Sequence, residues 1–199
     1  MTALTILMFA SAYLLGSISS AILVCRLFSL GDPRDQGSGN PGATNVLRLG
    51  GKYPAILVLV FDVLKGTIPV WGSYYLGLEP IDLAFVAVFA CIGHMFPVFF
   101  DFSGGKAVAT AFGTILPLGL DIAAILIVTW GVIVSLTNYS SLAAILSVGL
   151  APLITWMLKP EYTLPVAILS LLIILRHKGN IVRLIQGKEP KVSQKNSIK

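Results

Sequence analysis

Residues 53–75 read YPAILVLVFDVLKGTIPVWGSYY, an apolar stretch interrupted by only two charged residues near its middle. About 20 apolar residues are enough for a helix to cross the hydrocarbon core of a bilayer. The whole chain has 199 residues, of which 56% are hydrophobic and only 12% are charged. That is too little charge to cover a soluble domain of this size, so the sequence predicts an all-α integral membrane protein.

Comparable apolar runs predict seven transmembrane helices in a single membrane domain, residues 1–199. The predicted helices lie near residues 3–25, 53–75, 81–100, 107–120, 121–137, 142–158 and 163–175. Basic residues concentrate in the segment 26–52 and in the C-terminal tail, and such segments stay on the cytoplasmic side. Seven helices then put the N-terminus outside and the C-terminus in the cytoplasm, with residues 189–199 as a flexible basic tail.

The net charge of +5 is explained by this topology and by attraction to anionic lipid. Membrane lipid is therefore an expected partner. Nucleic acid is not, because the sequence contains no soluble basic domain that could present the charges.

The first polar segment contains GSGNPGATN, residues 37–45, which includes the pattern G-x-G-x-x-G of dinucleotide sites. That interpretation fails because a transmembrane helix, not a strand, precedes the glycines. Asn40 and Pro41 instead predict the N-cap and first residue of a short helix, with unpaired backbone N–H groups around Gly39 and Gly42 that suit an anion. Helical spacing would place three polar side chains on one face of that helix, those of Thr44, Asn45 and Arg48. An interfacial turn with a topology-marking arginine is an equally good interpretation.

The second segment, GHMFPVFFDFSGGKAVAT (residues 93–110), places Gly104, Gly105 and Lys106 before a helix. It is not a Walker A loop, because Ala107 stands where a magnesium-binding hydroxyl would be. A lysine at a helix N-terminus opposes the helix dipole, and an anionic partner would relieve that conflict. The alternative is that Lys106 only marks topology. His94 is interpreted as a structural hydrogen-bonding residue.

The third segment, RHKGNIVRLIQGKEP (residues 176–190), predicts a helix lying against the membrane. Arg176, Asn180 and Arg183 follow the spacing i, i+4, i+7, and His177 adjoins Asn180. A basic membrane anchor is the alternative, although histidine and asparagine are not usual lipid anchors.

Two charges within the second predicted span, Asp62 and Lys65, are functional candidates because charges are costly inside a membrane. Their opposite signs and i, i+3 spacing favour a buried structural pair. No His, Cys, Asp or Glu cluster has metal-ligand spacing, so no metal is expected. No serine, histidine and acid set is recognisable either, so any catalysis must rely on positioning and on charge stabilisation.

Together, SGNPGATNVLR, GHMFPVFFDFSGGKAVAT and RHKGNIVRLIQGKE resemble the three motifs of the bacterial acyl-phosphate-dependent glycerol-3-phosphate acyltransferases, the PlsY family. The resemblance implies transfer of a fatty acyl group from acyl phosphate to the sn-1 hydroxyl of glycerol 3-phosphate. The products would be lysophosphatidic acid and phosphate, in the first committed step of phospholipid synthesis, with no cofactor. It also implies the bacterial inner membrane, an active site at the cytoplasmic face, and association with other lipid-synthesis enzymes.

The family's functional positions correspond to Ser38, Arg48, Lys106, His177 and Asn180, to the loop glycines Gly104 and Gly105, and to Glu189 as a structural residue. The local chemistry adds further phosphate-binding candidates: Gly39, Asn40, Gly42, Thr44, Asn45 and Arg176. Ser103 and Ala107 depart from the family pattern, where lysine and glycine are frequent.

Two questions stay open from the sequence. The base could be His177 or the phosphate of the acyl donor. The rival function is a membrane transporter of phosphorylated small metabolites. A transporter should have basic residues along a path through the membrane, whereas the basic residues here are predicted to lie on one face only. A non-catalytic scaffold is a third interpretation.

Overall fold

The structure, a computed structural model, describes residues 2–193 and contains ten α-helices within them. No strand occurs in that range. Helices dominate because a backbone in lipid must satisfy its own hydrogen bonds. The helices are α1 (Ala3–Gly16), α2 (Ser20–Leu27), α3 (Ala43–Gly50), α4 (Lys52–Tyr75), α5 (Pro80–Met95), α6 (Val108–Leu118), α7 (Leu120–Thr137), α8 (Ser140–Leu158), α9 (Thr163–Arg176) and α10 (Lys178–Ile185).

Several helical segments are long and apolar enough to cross a membrane, which confirms the all-α, multi-pass membrane class. Five such segments are Ala3–Leu27, Lys52–Tyr75, Pro80–Phe100, Leu120–Thr137 and Ser140–Leu158. A sixth is obtained by joining the α9 region to α10 across a bend of 57°. Seven crossings would require α6 to span as well, so the number seven and the orientation of the termini stay predictions.

Helix α6 is shorter than the predicted span 107–120. Its 11 residues extend about 16 Å, roughly half of the hydrocarbon core. The loop before it turns into the protein, where the N–H of Gly105 donates to the carbonyl of His94 at 3.1 Å. As a result Ala107, just before α6, is 1% exposed and the helix begins inside the molecule.

A buried polar cluster lies where the first predicted span breaks into α1 and α2. The ammonium of Lys65 donates to the carbonyl of Ile18, in that break, at 2.9 Å. Lys65 also lies 2.8 Å from Asp62, so the ion pair expected from the i, i+3 spacing is present. Asp62 further accepts a hydrogen bond from Ser20 and lies 3.5 Å from Nδ1 of His94. The pair therefore satisfies backbone that the helix break exposes.

Replacing Asp62 with Asn should destabilise the protein, because Lys65 would stay buried without its counter-ion. Breaking a buried pair from one side costs about 3–5 kcal/mol, and each kcal/mol corresponds to roughly 2–4 °C in a chain of this size. Thermal unfolding in detergent should therefore shift down by several degrees. The double variant Asp62→Asn with Lys65→Met should recover part of the loss, whereas an unchanged Tm for Asp62→Asn would contradict the structural role.

Helices α4 and α6 approach each other closely at Gly113 of α6. A Cβ added to Gly113 would lie 2.8 Å from the carbonyl carbon of Val63, so no side chain fits there. The hydroxyl of Thr67 also donates to the carbonyl of Gly113 at 2.8 Å. Small residues and such hydrogen bonds are the usual means of joining helices in a membrane.

Candidate active site

A cavity of about 510 Å³ connects the three polar segments with the interior of the helices. All five residues predicted as catalytic line it, namely Ser38, Arg48, Lys106, His177 and Asn180. Apolar side chains from the interiors of α4, α6 and α7 line it as well, namely Ile56, Leu59, Val63, Phe112, Ile127, Trp130 and Val134. The cavity therefore joins a polar, cationic region to an apolar one.

The loop before α3 is held together by the side chain of Asn45. Its amide nitrogen donates to the carbonyls of Pro33 at 2.9 Å and Gln36 at 3.0 Å. Its amide oxygen accepts from the N–H of Ser38 at 2.9 Å. Because Asn45 is 1% exposed and both polar atoms are used, the structure gives it a loop-holding role instead of the predicted phosphate contact.

Helix α3 begins two residues later than the sequence predicts. Its N-cap is Gly42 and its first residue is Ala43, instead of Asn40 and Pro41. The cause is a tight turn in which the N–H of Gly42 donates to the carbonyl of Asn40 at 2.9 Å. The N–H of Gly39 is also bonded, within its own turn, at 3.0 Å. The prediction that these two glycine amides are unpaired is therefore wrong.

Thr44 and Arg48 both line the cavity, as their i, i+4 spacing predicts. The hydroxyl of Thr44 lies 3.2 Å from that of Ser140 at the start of α8. The guanidinium of Arg48 donates to the carbonyls of Pro190 at 3.1 Å and Lys191 at 3.2 Å. Burial lowers the pKa of Arg48, but an arginine keeps its charge at neutral pH.

Arg176 holds the glycine loop before α6, residues 103–106, through hydrogen bonds to its backbone. The guanidinium donates to the carbonyls of Gly104 at 2.9 Å and Gly105 at 3.0 Å. It also lies 5.1 Å from the centre of the Phe96 ring, a cation–π distance. Arg176 was predicted to bind phosphate; the structure instead uses its charge to position the loop.

The two loop glycines are needed because other backbone lies against them. A Cβ on Gly104 would lie 2.8 Å from the carbonyl oxygen of Met95, and one on Gly105 would lie 2.9 Å from that of Pro41. The second contact joins the glycine loop to the first polar segment. Close approach of two loops therefore accounts for the paired glycines, and it brings Lys106 to the cavity beside α3.

Lys106 is a partly buried cation among other cations. Burial lowers the pKa of its ammonium to about 8; the charges of Arg183, Arg176 and Arg48 act in the same direction and Glu189 acts against them. Lys106 is therefore largely protonated at pH 7, and a bound anion would stabilise that charge.

His177 lies between α9 and α10 with its ring in a defined tautomer. Its Nδ1 is 2.8 Å from the carbonyl oxygen of Ile173. A carbonyl only accepts, so Nδ1 carries the hydrogen and Nε2 is left as an acceptor. Burial lowers the pKa of His177 to about 4, against the effect of the Ile173 hydrogen bond and with a contribution from Lys106. The site therefore contains a neutral imidazole at pH 7.

Glu189 organises the third segment, in agreement with a structural role. One carboxylate oxygen accepts from Asn180 and from Ser141, each at 2.6 Å, and the other accepts from Arg183 at 2.8 Å. Burial alone would raise the pKa of Glu189, but these three hydrogen bonds hold it below its ordinary value. The carboxylate thus fixes the amide of Asn180 at the cavity wall.

The predicted flexible tail, residues 189–199, is in part an ordered portion of the site. Pro190 and Val192 line the cavity, and the N–H of Val192 donates to the carbonyl of Asn138 at 2.9 Å. Residues 194–199 lie outside the described part of the chain. The last described residues therefore form a wall over the polar region.

Sequence reasoning missed the turn between α7 and α8. Asn138, Ser140 and Ser141 lie in none of the three motifs, yet each is hydrogen-bonded to a cavity segment. The available signal was a run of polar residues, TNYSS at 137–141, between two apolar helices on the predicted cytoplasmic side.

Comparison with known proteins agrees with this arrangement. The family model described as glycerol-3-phosphate acyltransferase matches residues 6–187. A glycerol-3-phosphate acyltransferase from Pseudoalteromonas translucida is 66% identical over 98% of this chain and 96% of its own length. One from Vibrio cholerae is 61% identical over 98% of this chain and 94% of its own length.

Two solved structures share the fold. Both are crystal structures of PlsY (YgiH), an integral membrane glycerol 3-phosphate acyltransferase, and both are 36% identical to this chain. The match to the glycerol 3-phosphate form has a TM-score of 0.90 and covers 95% of this chain and 96% of the chain in that structure. The lysophosphatidic acid form has a TM-score of 0.87, with 95% of each chain covered. The chain is thus an integral membrane acyltransferase, and it belongs to the glycerol-3-phosphate acyltransferase family.

Proposed function

We propose that the protein transfers a fatty acyl group from acyl phosphate to the sn-1 hydroxyl of glycerol 3-phosphate. The observation that carries this proposal is the single cavity that joins cationic side chains to an apolar interior. Such a cavity suits an acyl chain and phosphate groups at the same time. The solved relatives with glycerol 3-phosphate and with lysophosphatidic acid support the same substrate and product.

Arg48 and Lys106 would hold the phosphate of glycerol 3-phosphate, with hydroxyl and amide donors beside them. In the described part of the chain, Nη1 of Arg48 makes no hydrogen bond within the protein, so its two N–H groups can reach a phosphate. Ser38 and Asn180 line the same region of the cavity. Positioned donors such as these two side chains would stabilise the charge that develops on the acyl carbonyl and the departing phosphate.

In the reaction, the sn-1 oxygen of glycerol 3-phosphate forms a bond to the acyl carbon. The bond between that carbon and the phosphate oxygen breaks, and inorganic phosphate leaves. The hydroxyl proton must move to a base. His177, with a pKa near 4, is a weak proton acceptor at pH 7. The donor's phosphate, in contrast, becomes more basic as its bond to the acyl carbon breaks and it leaves as inorganic phosphate. We therefore assign proton acceptance to the donor's phosphate, and we assign Nε2 of His177 to accepting a hydrogen bond that aims the hydroxyl.

The site would lie at the cytoplasmic face of the bacterial inner membrane. Support comes from the predicted seven-helix topology, in which all three polar segments are on one side. The cavity brings those three segments together, as that topology requires. A path of basic residues through the membrane, which the rival transporter function needs, is not among the residues lining this cavity.

The test is acyl transfer by purified protein in detergent. Labelled glycerol 3-phosphate is supplied with acyl phosphate, with acyl coenzyme A or with acyl carrier protein thioester, and the acylated position is determined in the product. We expect sn-1 product from acyl phosphate alone. Product from the thioesters only would overturn the proposed donor. In vesicles, uptake of glycerol 3-phosphate without any acylated product would favour the transporter.

The KM for glycerol 3-phosphate should rise above about pH 8, since burial lowers the pKa of Lys106 to about 8 and deprotonation removes a phosphate-binding charge. The limiting rise for one group is about tenfold per pH unit. The substrate phosphate is already a dianion there, because its own pKa lies near 6. Initial rates from pH 7 to 10 measure this effect. Lys106→Arg, which stays charged, should flatten the rise; an equally steep rise in that variant would contradict the assignment.

A further inference from the structure

Residues 190–193, called the strap below, cross the polar region of the cavity and are fixed at both ends. At one end, the preceding residue Glu189 accepts hydrogen bonds from Ser141, Asn180 and Arg183. At the other end, the strap is bonded to the turn between α7 and α8. A segment held at both ends can position the groups between its anchors.

The groups between the anchors are two backbone carbonyls that face Arg48. The carbonyl of Pro190 accepts from Nη2 at 3.1 Å. The carbonyl of Lys191 accepts from Nη2 at 3.2 Å and from Nε at 3.3 Å. The strap thus occupies one edge of the guanidinium and leaves Nη1 facing away from these contacts. A long, flexible side chain held in this way loses less freedom when a substrate binds.

The far anchor is Asn138, the C-cap residue of α7, with φ 62° and ψ 18°. Its backbone carbonyl accepts from the N–H of Val192 at 2.9 Å. Its side-chain oxygen accepts from the N–H of Ser193 at 3.2 Å, and its side-chain nitrogen donates to the Ser193 hydroxyl at 2.9 Å. Asparagine is one of the few residues other than glycine that tolerates this left-handed conformation. One residue therefore ends α7 and makes three hydrogen bonds to the strap.

We propose that Asn138 is a positioning residue for acyl transfer, which anchors the strap so that its carbonyls hold the guanidinium of Arg48 in the site. This proposal rests on the proposed function, in which Arg48 binds the phosphate of glycerol 3-phosphate. It assigns a role to a residue outside the three motifs.

The first test is Asn138→Gly, because glycine accepts the backbone conformation but removes both side-chain hydrogen bonds to Ser193. We expect the KM for glycerol 3-phosphate to rise roughly 3- to 10-fold, as suits the loss of two exposed hydrogen bonds. The kcat and the KM for acyl phosphate should stay near the wild-type values. Asn138→Asp should restore the KM, since a carboxylate accepts from both the N–H and the hydroxyl of Ser193.

The matched control is Ser135→Ala, near the end of α7. The Ser135 hydroxyl is exposed and donates only within its own helix, to the carbonyl of Gly131 at 2.7 Å. This variant loses a side-chain hydrogen bond without touching the strap, so its KM should equal that of wild type.

A second variant tests the backbone anchor independently of Asn138. Val192→Pro removes the N–H that donates to the Asn138 carbonyl, whereas Val192→Ala keeps it. The KM for glycerol 3-phosphate should rise more in the proline variant than in the alanine variant. In an Arg48→Lys background, which cannot bind both carbonyls in the same way, Asn138→Gly should have little additional effect.

Three results would overturn the proposal. They are a wild-type KM in both Asn138→Gly and Val192→Pro, a lowered KM that shows the strap to be inhibitory, or an undiminished effect of Asn138→Gly in the Arg48→Lys background. Failure of the proposed function is distinguishable, because wild-type protein would then show no acyl transfer from acyl phosphate at all.

Discussion

Arg48→Ala should abolish acyl transfer and leave the protein folded. Arg48 is the cavity residue whose guanidinium is held by the strap and still has two free N–H groups among the described contacts. Truncating one partner of a hydrogen-bonded charge pair typically costs about 2–5 kcal/mol, so the loss of this charged donor to the phosphate of glycerol 3-phosphate should lower kcat/KM by about 10²–10³-fold. Initial rates with acyl phosphate and glycerol 3-phosphate measure the effect.

Two variants make the Arg48 result specific. Arg48→Lys keeps the charge but not the planar fork, so it should retain partial activity with a raised KM for glycerol 3-phosphate. Arg26→Ala removes an exposed arginine in the last turn of α2 and should behave as wild type. Turnover by Arg48→Ala close to that of wild type, in a protein that elutes and melts normally, would remove Arg48 from the site.

His177→Ala should lower kcat by about 100-fold or more, because the acceptor that aims the sn-1 hydroxyl is lost. The hydrogen bond from Nδ1 to Ile173 leaves Nε2 as that acceptor, and burial keeps the ring neutral with a pKa near 4. At saturating substrate, kcat should therefore show no titration of His177 between pH 5 and pH 8. Both quantities come from steady-state rates across that pH range.

His177→Asn separates the two candidate bases. Asparagine can accept a hydrogen bond but cannot take up a proton, so activity clearly above that of His177→Ala favours the donor's phosphate as the base. Activity as low as that of His177→Ala, together with an acidic limb near pH 6 in wild-type kcat, would instead make His177 the general base.

Much of the site was predictable because its chemistry is local in the sequence. Residue type and spacing made Arg48, Lys106, His177 and Asn180 candidates, and the resemblance of the three motifs to a known family gave them their roles. The structure brings all four to one cavity. The partners of individual polar groups were not predictable. Arg176 binds loop carbonyls, although its charge and position near a helix end equally suit a phosphate site.

The same limit applies to the first polar segment. Asn45 and the amides of Gly39 and Gly42 were available to an anion by sequence, but the folded loop uses them for its own hydrogen bonds. Short polar segments have several turn conformations of similar energy, and contacts with other segments select among them. Here Gly105 of the glycine loop lies against the Pro41 carbonyl. This contact joins residues far apart in the sequence, so a local sequence pattern cannot predict it.

The amino-acid sequence by itself determined the membrane class, the helical architecture and the three segments that carry charge, because hydrophobicity and helical spacing act over neighbouring residues. Only the tertiary structure decided that α1 and α2 are separate helices, that Lys65 satisfies the carbonyl at their break, and that a C-terminal strap anchored at Asn138 holds Arg48. These features depend on hydrogen bonds between residues far apart in the chain. For the Ile18 carbonyl, which lies at a break inside a membrane-spanning segment, the partner must come from another part of the protein, and three-dimensional packing sets its identity.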